Sequence, residues 1–149
     1  MRRRIVERRR VVVLLLVGTL LAGCGVGTGT LRIGEAEAEI VAVTEELVRA
    51  TGIEAPGPVA AAPLEQCELR SGRPGLRTRV SVRGALPGGE AAAAAAFDEA
   101  ATVLVARDLV IVESGVADTL LGQRDGVTVT VASIAGDLQL DALTGCRPR

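Results

Sequence analysis

The stretch TLLGQRDGVTVTVAS, residues 119–133, decides the fold. Asp125-Gly126 is a two-residue turn signal, because both residue types tolerate the positive φ angles that a tight hairpin demands. After the turn Val127, Val129 and Val131 alternate with Thr128 and Thr130. Alternation of that length marks a strand with one buried face. The segment therefore reads as a hairpin, 119–124 against 127–133, with the valines inward.

Working outward, Ala135-Gly136 turns the chain again. Leu138, Leu140 and Ala142 then alternate with Gln139 and Asp141 through residues 138–143. Upstream, 109–113 reads as a strand and 114–118 as a loop, which completes a four-strand meander. Before Asp108 the period is helical. Residues 90–107 hold six consecutive alanines, Ala91 to Ala96, of high helix propensity. Ala93, Phe97, Ala100, Ala101 and Leu104 form the expected buried stripe, and Phe97→Ala is expected to lose about 3–5 kcal/mol as a core truncation.

Two further strands are expected at 65–70 and 76–84, around the turn 71–75. Thr78, Val80 and Val82 share one face, and Arg77, Arg79, Ser81 and Arg83 the other. Pairing Arg70 with Arg77 sets Cys67 opposite Val80 and Glu68 opposite Arg79. Residues 53–63 contain three prolines and read as a linker. Residues 35–51 read as a helix, with Ile40, Val43, Leu47 and Ala50 on one face and Gly52 placed to stop it. Glu35, Glu37 and Glu39 then lie near the positive helix end. The whole is an α+β domain over 35–149: an antiparallel sheet of about five to six strands with two helices on one face.

The N-terminal segment differs in kind. Arg2, Arg3, Arg4, Arg8, Arg9 and Arg10 precede a wholly aliphatic run, Val11 to Val17. A basic region, a short apolar region and small residues are the layout of an export signal. Residues 11–23 fall short of the about 20 that a membrane span needs, so a permanent single-pass anchor is the weaker reading. The run ends in Leu21-Ala22-Gly23-Cys24, which resembles the lipobox of bacterial lipoproteins. The resemblance implies a signal peptide over 1–23, cleavage between Gly23 and Cys24, and a lipid on Cys24. The alternative is a secretory signal with an incidental cysteine. Residues 24–34, rich in glycine, read as a flexible tether.

Removing 23 of the 149 residues leaves 126, one domain's worth. The leader takes six of the seventeen arginines and one of the eighteen acids. The overall balance of −1 thus divides into about +5 for the leader and −6 for the remainder. An acidic body disfavours nucleic acid as a partner. With Cys24 lipidated, Cys67 and Cys146 remain, and an oxidising compartment lets them pair. Continuing the alternation of 138–143 sets Cys146 on the inward face, where the register above also places Cys67. Two free thiols are the alternative. A metal is disfavoured, since the chain has no histidine.

The chain is similar, over most of this body, to a group of small actinobacterial lipoproteins. The shared features are Cys24 in its lipobox, Cys67 in an early strand, the alanine run 91–96, Arg124-Asp125-Gly126 before the alternating segment, and Cys146. Relatives often carry an aromatic residue where this chain has Asp108-Leu109. The group has no assigned activity, so the resemblance implies location and fold.

The residues themselves name no reaction. A Ser or Cys nucleophile needs a base, and the chain lacks both His and Lys. Glu45-Glu46 and Asp98-Glu99 are adjacent on helices and diverge by about 100°. The glycine-rich segments lack phosphate-loop spacing. The expectation is a non-enzymatic cell-envelope lipoprotein without cofactor, held in the membrane by its lipid, with a binding or accessory domain for an envelope protein partner. A carrier or sensor of a small apolar ligand is the alternative, and a carboxylate hydrolase a remote one. Arg70, Arg73, Arg77, Arg79 and Arg83 form a local basic patch. It suits anionic headgroups or phosphate-bearing polymers. Pairing with Glu65 and Glu68 on a solvated face is the competing reading.

Overall fold

The computed structural model describes residues 31–149. The leader, the Gly23–Cys24 junction and most of the tether lie outside them. Two helices and seven strands follow in the order α1 (Ile33–Thr51), β1 (Glu65–Glu68), β2 (Pro74–Arg77), β3 (Arg79–Ala85), α2 (Ala93–Ala106), β4 (Val110–Val112), β5 (Thr119–Arg124), β6 (Val127–Ile134) and β7 (Asp137–Thr144). A 3₁₀ turn, Gly89–Ala92, leads into α2.

The β5–β6 hairpin forms as the turn residues dictate. Asp125 and Gly126 adopt φ of 46° and 73°, and Arg124 pairs with Val127 across them. Val127, Val129 and Val131 are buried. The β6–β7 turn has the same form, with Ala135 at φ 52° and Gly136 at φ 87°. Glycine meets that demand freely, whereas alanine pays a steric penalty there.

β4 to β7 form the expected meander, and β3 adds to the free side of β7, giving the order β3-β7-β6-β5-β4 with every pair antiparallel. β3 and β4 thus occupy opposite edges, and α2 crosses the sheet between them. Both helices cover one face. Ile40, Val43 and Leu47 of α1 and Ala96, Ala100, Val103 and Leu104 of α2 join the inward valines and leucines in one core. Gly52 closes α1 at φ 68°, its N–H bonded to the Val48 carbonyl. The linker after α1 runs along the outer edge of β3. Glu54 N–H donates to the Ala85 carbonyl, and Ala62 N–H to that of Arg79. This covers one sheet edge, and three-residue β4 keeps the other short, two common guards against edge-to-edge pairing.

Three expectations are corrected. α1 begins at Ile33, two residues before Glu35. The α2 stripe is rotated, since Ala96 and Val103 are buried in place of Ala93 and Ala101, and Phe97 is half-buried. Phe97→Ala therefore falls short of a full core truncation. The third correction concerns the register of residues 65–85. The strand expected at 76–84 is broken at Thr78. β2 pairs with β1 as a separate two-stranded sheet, while β3 joins the large one. Glu65 pairs with Arg77, Cys67 with Gly75, and Glu68 with Pro74. Arg70 belongs to the turn.

Thr78 explains the break. It is buried, and its N–H donates to Thr144 Oγ1 at 2.9 Å. Its own hydroxyl donates to the Ala62 carbonyl at 2.6 Å. In return Thr144 donates from both its N–H and its hydroxyl to the Thr78 carbonyl. All of its polar groups are satisfied by the large sheet and linker, so the chain changes partner there.

Candidate functional site

The features that set this molecule apart gather at one end, where β7 finishes. Cys67 and Cys146 form a disulfide, with Cα atoms 5.8 Å apart and a separation of 79 positions in sequence. It does not lie on the inward face of the large sheet. Both cysteines are half-buried, and the bridge fastens the β1–β2 hairpin to the chain beyond β7. Leu76 and Arg147 exchange two backbone hydrogen bonds, 2.8 and 2.9 Å, and continue that attachment.

Gly75 permits this close approach. A Cβ there would stand 2.7 Å from both Cys146 Sγ and the Arg147 carbonyl oxygen. Real Cβ contacts are longer, so any side chain at 75 would push the hairpin off.

Arg147 is the largest fully buried side chain among the described residues. Its guanidinium donates to the Leu31 carbonyl at 2.8 Å and to the Asp125 carbonyl. Its Nε–H has no acceptor among the described residues. Burial lowers its pKa from the ordinary arginine value, and the Asp125 carboxylate partly offsets this. An arginine remains charged at any physiological pH, so the buried charge is a constant cost rather than a switch. Structurally it ties three points together: the start of α1, the β5–β6 turn and the C-terminal segment.

A cleft of about 640 Å³ opens beside the disulfide. Leu69 and Leu143 give it apolar walls, Arg70 and Arg77 its positive charge, and Glu68 is its sole acid. Glycoside hydrolysis uses two carboxylates flanking one bond, and this cleft offers one. It lies outside the sheet–helix core, where an apolar ligand carrier would hold its cargo.

The five arginines singled out in the sequence are not brought together as one patch. Arg77 pairs with Glu65 at 3.2 Å, and Arg83 with Asp137 at 2.9 Å, at the far end of β3. Arg73 donates to Ser71 Oγ. Arg79 is exposed and has no ion pair among the described residues. Arg70, Arg73, Arg77 and Arg79 remain at the disulfide end.

A second charged group went unread in the sequence. Glu39 binds Arg124 at 2.9 Å and Arg107 at 3.9 Å, and Arg107 also holds Glu46 at 2.7 Å. These half-buried pairs lock α1 to the end of α2 and to β5. Glu35 instead accepts the Arg32 N–H at 2.9 Å, a local helix cap. Neither the network nor Arg147 carries a sequence signature, because each depends on contacts between residues distant in the chain.

Among the described residues, no helix is long and apolar enough to cross a membrane, and no group of three His, Cys, Asp or Glu side chains is placed to hold a metal. Comparison with protein families and with curated proteins finds no match. Among solved structures, the chain is similar to a DUF4853 family protein from Actinomyces odontolyticus ATCC 17982. The TM-score is 0.48 at 10% identity, over 80% of this chain and 70% of that one.

Proposed function

We propose that this chain is a cell-envelope lipoprotein, anchored through Cys24, whose body is a non-catalytic binding or accessory domain on the extracytoplasmic side. The observation that carries the reading is the division of labour among its three cysteines. Cys67 and Cys146 are paired in the body. That leaves Cys24 alone, at the end of an export-type leader and in a lipobox-like setting. Disulfides persist in oxidising compartments, which agrees with an exported body. Two acyl chains at Cys24 supply the two hydrophobic signals that stable anchoring takes.

The test is intact-mass spectrometry of the chain expressed in a bacterial host, alongside Cys24→Ser. The expected product starts at residue 24, carries acyl mass, and fractionates with membranes. The serine variant gains no acyl mass and is not cut before residue 24. An unmodified Cys24 still joined to Gly23 would overturn the reading. Crosslinking in intact cells is expected to recover one reproducible envelope protein, and recovery of the monomer alone removes the accessory role.

A further inference from the structure

We infer that the disulfide end of the domain rests on an anionic lipid leaflet, so that the body stands on the membrane in one fixed orientation. This builds on the lipid anchor at Cys24. The first support is the exit point of the chain. Arg147 pins the Leu31 carbonyl beside the β5–β6 turn and the C-terminal segment. Leu31 lies seven positions after Cys24, a span of at most about 25 Å when fully extended. This end is therefore the one held near the lipid.

The second support is the distribution of charge. Arg32, Arg70, Arg73, Arg77, Arg79 and Arg149 are all exposed at this end. Of the eleven arginines after residue 31, only Arg49 and Arg83 lie toward the opposite end. That end, where α1 finishes and the β6–β7 turn sits, carries Glu54, Glu90, Glu113, Asp118 and Asp137. The disulfide end also exposes Glu35, Glu65, Glu68, Asp108 and Asp125, so its charges are close to balance, with Arg77 paired to Glu65. A body of net charge −6 thus presents its arginine-bearing, least acidic end to the membrane and its acid-rich end away. Anionic leaflets attract basic residues within about a Debye length of the surface. The arginine-lined cleft beside the disulfide opens at the same end.

The experiment places the lipidated full chain in phosphatidylcholine vesicles, with and without phosphatidylglycerol, and follows amide hydrogen exchange by mass spectrometry. Intact mass is read on the same sample. Expected is a slowing of several fold over residues 65–79 and 145–149 when phosphatidylglycerol is present, with residues 85–90 and 113–118 unchanged. Arg73→Glu with Arg79→Glu removes the slowing, as does high salt. Neither side chain belongs to an ion pair among the described residues, so the variant is expected to keep its thermal midpoint. Equal exchange in both vesicles, slowing at the acidic end, or the same slowing produced by inorganic phosphate alone would each overturn the inference. If the mass shows Cys24 without acyl groups, the anchor has failed instead. Flotation of the unlipidated chain with phosphatidylglycerol vesicles then tests the surface, and failure to float overturns it.

Discussion

The five-stranded sheet and the two-stranded hairpin are stabilised in different ways. The large sheet buries an unbroken aliphatic face against two helices, with Val129, Val131, Leu138 and Leu140 almost without exposure. The hairpin spans four residues a side and buries little beyond Leu69 and Gly75. A two-stranded sheet of that size is marginal on its own. Its attachment comes instead from a covalent bridge, a pair of backbone hydrogen bonds at Leu76, and the absence of a side chain at Gly75. Burial stabilises the body, while the hairpin depends on a few point attachments, each of which can be removed singly.

The largest effect is expected in the body. Leu140→Ala deletes a fully buried side chain at the centre of the core, and should lower the unfolding free energy by about 3–5 kcal/mol. Chemical denaturation checks this, and exchange protection should fall in both sheets. A loss under about 1 kcal/mol would mean that the body does not depend on burial as described.

Removing the bridge comes next. Cys67→Ser with Cys146→Ser is expected to lose about 2–4 kcal/mol, with the chain-entropy value for a loop of this length as an upper bound. The decisive reading is local. Amides of residues 65–77 should exchange first, while β5, β6 and β7 keep their protection. Uniform loss across both sheets would erase the contrast between the two regions.

Gly75→Ala sharpens the same point with the disulfide cysteines intact. The added methyl has no room, so a loss of about 1–3 kcal/mol is expected from overpacking. The bridge should also become easier to reduce, and a thiol-quantified reduction time course would show it. The smallest effect has the opposite sign. Ala135 holds left-handed backbone in a hairpin turn that asparagine accepts more readily. Ala135→Asn should gain about 1 kcal/mol, read as a rise in thermal midpoint, without altering exchange in residues 65–77.

The same contrast explains how much was legible beforehand. The meander followed from residues 119–143 because Asp125-Gly126, Ala135-Gly136 and strict alternation are local rules, and each held to within about a residue. The hairpin region was misread because its strands also alternate. Nothing in Leu76-Arg77-Thr78-Arg79 announces that Thr78 takes its hydrogen bonds from Thr144 and Ala62. The Cys67–Cys146 pairing was found by counting cysteines, but the expected position inside the sheet was wrong because the register was. At the site, the arginines were visible as residues but not as an arrangement. Ion pairing draws Arg77 to Glu65 and Arg83 to Asp137, and the deeply buried arginine is the one at 147.

The strand order also bears on how quickly the molecule assembles. β4 to β7 are joined by short turns, so their register is set by neighbours in sequence. β3 finds its partner in β7 after more than fifty intervening residues and the whole of α2. Loop closure of that length is slow relative to a hairpin turn. β3 is thus expected to dock late, after the meander that receives it. Rapid-mixing measurements on probes placed in β3 and in β6 would reveal that lag.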